Sequence, residues 1–137
     1  MTRFDVVGFG ALNLDKLYKV NHIAGAEGES YIESQSEACG GSAANTTVGL
    51  ARLGCNVGFV GKVAADREGD MQLSDFGRED VDTQGIIRVQ KGKSGTVMGF
   101  VDKNGARALY INSGINDTII PGEIKVSYYR TINYKSY

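Results

Sequence analysis

The glycine pair Gly40-Gly41 restricts the fold most, because it stands directly before a helical pattern and an apolar β-type segment. In "GGSAANTTVGLARLG" the residues Ala44, Val48 and Ala51 recur at i, i+4 and i+7, the repeat of one helix face, and Gly54 stops the pattern. The spacing predicts a helix over 42–53. Upstream, Phe4 to Phe9 is a short apolar run with glycines at Gly8 and Gly10, consistent with a buried strand. Downstream, residues 55–62 carry Val57, Phe59 and Val60 and read as another strand. Asp66 then stands where the N-cap of a second helix over 67–79 belongs, with Met71, Leu73 and Phe76 turned inward. Strand, helix, strand, helix in succession predicts an α/β sheet with parallel pairing.

Two stretches add strands of another kind. Residues 14–37 mix Leu14, Leu17, Tyr18, Val20, Ile23, Tyr31 and Ile32 with polar residues, and read as short strands around the glycine-rich loop at 25–28. Farther on, Thr96, Met98 and Phe100 alternate with Val97, Gly99 and Val101, and Asn104-Gly105 follows. An Asn-Gly between two β-type runs is a strong hairpin signal. These strands are expected beside the α/β body, as a flap. The last residues differ again: four of the seven tyrosines fall in 128–137, with neither helix nor strand period.

A chain of 137 residues supports one domain with a real core. A net charge of −1 gives no reason to expect a nucleic-acid partner. No run approaches the length of a membrane span, and the first residues read into a strand instead of a signal peptide. Cys39 and Cys55 are too few and too scattered for a disulfide framework or a zinc site, so free thiols in a reducing cytoplasm are expected.

Three motifs fail on inspection. Gly8-Phe9-Gly10 lacks the third glycine of a dinucleotide fingerprint, because Asn13 stands there. Gly92-Lys93-Ser94 has Ile87 where a P-loop needs its first glycine, and is expected to be an exposed turn. The lone His22 has no ligating neighbour and reads as surface.

What remains is a set of polar and glycine residues. Asn13 and Asp15, two apart, project to the same side of an extended chain. An ionised Asp only accepts hydrogen bonds, which suits the hydroxyls of a polyol, while Asn donates and accepts. The same two residues also serve to tie down a turn. Gly40 and Gly41 leave room for a ligand at backbone N–H groups, with Asn45 in the first helical turn; equally, they form a flexible entry turn capped by Ser42.

Taken in order, "VVGFGALNLD" at 6–15, "GES" at 28–30, "GGSAANTTVGLARLG" at 40–54, "VGFVGKVAADREGD" at 57–70, "DVDTQGI" at 80–86, "SGTVMGFVDKNGAR" at 94–107 and "SGIND" at 113–117 resemble one family, the ribokinase-like (PfkB) carbohydrate and nucleoside kinases. The resemblance implies a partial ribokinase-like α/β sandwich with a small β-sheet lid, the lid strands at about 14–37 and 94–111. It makes residues 1–122 the N-terminal substrate-binding part and 123–137 a divergent or truncated tail. Asp15 looks like the family's sugar-hydroxyl acceptor, with Asn13 beside it, and Gly40, Gly41 and Asn45 look like the sugar-binding turn. Ribokinases proper usually carry lysine where Ser42 stands, so ribose in particular is not implied.

The resemblance further implies a parent enzyme that transfers the γ-phosphate of ATP, with Mg2+, to a hydroxyl of a sugar or nucleoside. The lid would close over substrate and form a homodimer contact. The family's Asp-Thr-x-Gly-Ala-Gly-Asp motif, with its catalytic aspartate and anion hole, does not occur in these 137 residues. The expectation is therefore a substrate-binding portion with little or no activity alone, with neither ATP nor Mg2+ expected to be bound by these residues alone and no catalytic residue among them. A non-catalytic sugar-binding or dimerisation module is the alternative.

Overall fold

The computed structural model describes residues 4–129. Eight strands and three helices follow in the order β1 (Val6–Phe9), β2 (Asn13–Val20), β3 (Ile32–Gly40), α1 (Ser42–Arg52), β4 (Val57–Ala64), α2 (Arg67–Arg78), β5 (Val81–Asp82), β6 (Ile86–Val89), β7 (Gly95–Val101), β8 (Arg107–Asn112) and α3 (Val126–Tyr129). Short 3-10 turns at Gly114–Thr118 and Pro121–Glu123 connect β8 to α3.

The first sheet is built around β4. It pairs in parallel with β1 along Val57 to Val60, with β5 at Val57 and Gly58, and with β6 from Gly61 to Ala64. Every residue of β4 is buried. That is why its sequence runs nearly continuously apolar instead of alternating. Val57, Phe59 and Val63 project to one side and join Leu12, Ala44 of α1, Phe76 of α2 and Val81 in the main core. Val60 projects to the other side, against Phe4 and Tyr128. On that same side Lys62 is buried within β4, its ammonium 2.8 Å from Glu123 and 3.3 Å from the Thr118 carbonyl. Tyr128 accepts from the Phe59 N–H at 3.1 Å and donates to the Asp82 carboxylate at 2.9 Å. The first residues of the tail thus lie against the sheet, while 130–137 are outside the described residues.

The second sheet has the order β3-β2-β7-β8. β2 and β7 run parallel, and β3 and β8 flank them antiparallel. Residues 14–37 therefore form two long strands rather than several short ones, and β3 continues to Gly40, the residue expected in a turn. Strands β5 and β6 were not foreseen, being only two and four residues long.

Helix α2 departs from expectation on its inner face. Gln72 is buried beside Phe76, whereas Met71 is half-buried and its carbonyl accepts from the Cys39 thiol. Ser94 is also buried, not part of an exposed turn. Its hydroxyl donates to Asp66 at 2.6 Å and accepts from the Ala64 N–H at 2.9 Å. Asp66 caps α2 through the Gly69 N–H at 2.8 Å and also takes the Ser94 N–H at 2.8 Å. Both cysteines are free thiols, and burial pushes the Cys39 thiol up to about 11. No helix among the described residues is long and apolar enough to cross a membrane.

Candidate functional site

Asn13 and Asp15 open β2 where the second sheet leaves the core. Leu12 and Leu14, to either side of Asn13, are fully buried and anchor the strand. Asn13 lies opposite Gly40 on β3 and Gly95 on β7; Asp15 lies opposite Ala38 and Val97. The two polar side chains thus share one face of β2; Asn13 is flanked by glycine on both sides, and Asp15 by Ala38 on one side and Val97 on the other. The glycines meet a requirement of space. A Cβ on Gly40 would collide with the Asp15 carboxylate, and one on Gly95 with Asn13 Oδ1 and Asn116 Nδ2.

Gly41 joins β3 to α1. Its φ of 117° lies in the left-handed half of backbone space, and a Cβ there would strike the Ala11 carbonyl. Gly41 itself occupies the N-cap and no side chain caps the helix. Ser42 is the first helical residue, so its expected capping role is not realised: the close Ala11 backbone admits only glycine at the cap, and the chain has already entered the helix at Ser42. The first backbone N–H groups of α1 are left without a side-chain acceptor, which preserves their pull on an anion or a hydroxyl oxygen. Asn45 stands on that first turn, exposed, its N–H closing the helical bond to the Gly41 carbonyl at 2.8 Å. The five residues singled out in the sequence therefore follow one path, from the start of β2 across to the end of β3 and into α1.

Asp15 accepts no hydrogen bond and pairs with no cation among the described residues, and its carboxyl is pushed up by burial. Such a carboxylate is half-desolvated without a protein partner. A ligand hydroxyl would relieve that condition.

Behind the site stand groups that sequence reasoning missed. Gln72 donates to the Asn13 carbonyl. Asn116 holds the backbone of Leu12 and the side chain of Asn13. The "SGIND" text containing Asn116 was visible, but its partners lie 103 and 104 residues away. No local pattern marks that distance. Lys16–Glu68, at 3.3 Å, and the paired Arg67–Glu37 tie the second sheet to α2.

This architecture is that of the ribokinase-like kinases. The chain matches a structure of Arabidopsis thaliana ribokinase complexed with ribose and ATP at a TM-score of 0.73, with 19% identity over 82% of the chain and 37% of the other. The family model for the pfkB family of carbohydrate kinases matches residues 3–129, and the chain belongs to that family. An uncharacterized sugar kinase of Archaeoglobus fulgidus is 49% identical over 79 residues, covering 58% of the chain and 31% of that relative. An ATP-dependent ribose-1-phosphate kinase of Halopiger xanaduensis is 34% identical over 119 residues, covering 87% of the chain and 40% of that relative. The chain thus spans well under half the length of these relatives.

Proposed function

We propose that these residues form the substrate-binding part of an ATP-dependent kinase that phosphorylates a hydroxyl of a sugar or nucleoside. The observation that carries this is the unpaired, half-buried Asp15 carboxylate beside Asn13, at a junction cleared by Gly40, Gly41 and Gly95. Asp15 accepts hydrogen bonds from substrate hydroxyls, Asn13 and Asn45 supply amide contacts, and the Gly40-Gly41 backbone lets the ring approach. Family membership and the sugar kinases among the relatives support the same reading.

The second sheet serves as the lid. A kinase must favour the substrate hydroxyl over water as nucleophile, and a sheet closing over the cleft excludes water. ATP and Mg2+ belong to the family's chemistry. Among the described residues no three His, Cys, Asp or Glu side chains gather as a metal site. Mg2+ is ordinarily held by one or two carboxylates together with the substrate's phosphates, so a cluster of three side chains is not what it requires. A chain of these residues binds substrate and turns over little. The free thiols Cys39 and Cys55 suit a reducing cytoplasm.

The alternative, a non-catalytic sugar-binding or dimerisation module, draws on the exposed Leu109, Tyr110 and Ile111 of β8, which suit a homodimer through the lid. Calorimetric titration with D-ribose, ribose 1-phosphate, D-fructose and adenosine, alongside an ATP-turnover assay, separates these readings. Binding of one of them, abolished by Asp15→Ala and without turnover, is expected. Robust turnover would overturn the assignment of no catalysis. A dimer that binds none of the four would favour the assembly module.

A further inference from the structure

The Asn116 side chain forms a two-point bond with the backbone of a single residue, Leu12. Its Oδ1 accepts from the Leu12 N–H at 2.9 Å, and its Nδ2 donates to the Leu12 carbonyl at 3.1 Å. A backbone N–H cannot accept and a backbone carbonyl cannot donate, so the Asn116 amide has one permitted orientation. Reversing it would set oxygen against oxygen and N–H against N–H. The second proton on Nδ2 then has a fixed direction, and it meets Asn13 Oδ1 at 3.0 Å. Asn13 must therefore turn its oxygen to Asn116. Its own Nδ2, with two donor protons, is left with no partner among the described residues. Gly95 is what permits this contact, since a Cβ there would occupy the position of both interacting atoms.

We infer that Asn116 is a positioning residue that locks the Asn13 amide with its NH2 toward the ligand. This inference rests on the reading of the Asn13–Asp15 cleft as a sugar-hydroxyl site. It sharpens that reading into a rule of selection. The cleft presents a donor from Asn13 beside an acceptor from Asp15 on the same face of β2. A hydroxyl accepts and donates at once, so one hydroxyl or a vicinal pair satisfies both. A keto or ether oxygen satisfies Asn13 but faces the Asp15 carboxylate with lone pairs. An ammonium satisfies Asp15 but meets the Asn13 protons. The site thus selects a free hydroxyl over its oxidised, deoxy, etherified or amino counterparts.

Side-chain amide hydrogen exchange in the 15N-labelled 137-residue chain tests the lock without any ligand. The two resonance pairs are assigned by their loss in Asn116→Asp and Asn13→Asp. Slow exchange of the Asn116 NH2 and fast exchange of the Asn13 NH2 are expected; the reverse order would overturn the proposal. Asn116→Asp supplies the second measurement. The new carboxylate still accepts from Leu12 but cannot donate, so the Asn13 amide turns and donates to it. Asn13 exchange should then slow. Affinity for whichever of D-ribose, D-fructose and adenosine binds the wild type should fall about 10- to 100-fold, because two acceptors now face the hydroxyl. A folded Asn116→Asp chain with unchanged Asn13 exchange and unchanged affinity would show a merely structural role and defeat the inference. If the wild type binds none of the three, the sugar reading fails, while the exchange rates still decide the orientation.

Discussion

The two sheets share one chain but are built to opposite rules. In the first, β4 is buried along all eight residues and packs side chains on both faces. In the second, β3 is exposed over most of its length, and Leu109, Tyr110 and Ile111 of β8 are 49%, 64% and 67% exposed. The first sheet holds the fold together; the second holds little but itself and leaves apolar surface for something to cover. The candidate site lies where they meet. There the second sheet's β2 is pinned by Leu12 and Leu14 in the core, and its polar residues gain rigidity from the stable half while facing the open one.

That division is broken most directly by exchanging a core residue for a small one. Phe59 is fully buried, 5.1 Å from Phe76 between ring centres, and Gly61 leaves its ring the space that a Cβ would take. Phe59→Ala should cost about 3–5 kcal/mol in chemical denaturation. Leu109→Ala on the second sheet should cost less than about 1 kcal/mol. Equal losses at the two positions would mean that the second sheet is as much a part of the core as the first.

The joint between the sheets comes next in size. Asp66 caps α2 and takes both the hydroxyl and the N–H of Ser94, the residue before β7. Burial works against its charge, but the three hydrogen bonds prevail and hold its carboxyl below the usual range. Asp66→Ala removes a helix cap and leaves the buried Ser94 N–H without its acceptor, a cost of roughly 2–4 kcal/mol by thermal or urea unfolding. The stability from Asp66 is present above the unfolded carboxylate range and is lost as pH falls through its lowered folded value. An Asp66→Ala chain should accordingly lose part of its deficit relative to wild type in acid.

The elements visible in the sequence were those with local signals. The 3.6-residue repeat and Gly54 gave α1 to within a residue, Asp66 marked the start of α2, and Asn104-Gly105 marked the β7–β8 turn. Asn13, Asp15, Gly40 and Gly41 were legible as a candidate site because two-residue spacing and paired glycines are local facts. What stayed hidden depends on distant partners. Ser94 looked like a turn residue because its acceptor is 28 positions away in Asp66. Asn116 offered no sign of its hold on Leu12 and Asn13. Gln72 was overlooked since a polar residue on an amphipathic helix is ordinarily placed outward, and only the Asn13 carbonyl explains its burial. Ser42 was misplaced as a cap because the approach of Ala11 to Gly41 is invisible in one dimension.

The smallest effect is the most telling about the site. Asp15 is the counterpart of Asp66: burial raises its carboxyl and no hydrogen bond restores it. For a carboxyl raised on folding, the fold tolerates the protonated form better, so stability is greatest below the unfolded value and declines as pH rises through the folded one. Asp15→Asn removes that handicap at neutral pH. Its melting temperature at pH 7 should equal or slightly exceed that of the wild type, and the gap should close in acid, where Asp15 is protonated as well. Sugar affinity should move the other way, absent in the variant and fading in the wild type as pH falls, beginning above the ordinary aspartate range. Differential scanning calorimetry across pH 4 to 8 checks the first part and titration calorimetry the second. A clear loss of stability at pH 7 in Asp15→Asn would make the carboxylate structural and leave the open sheet without its ligand-facing charge.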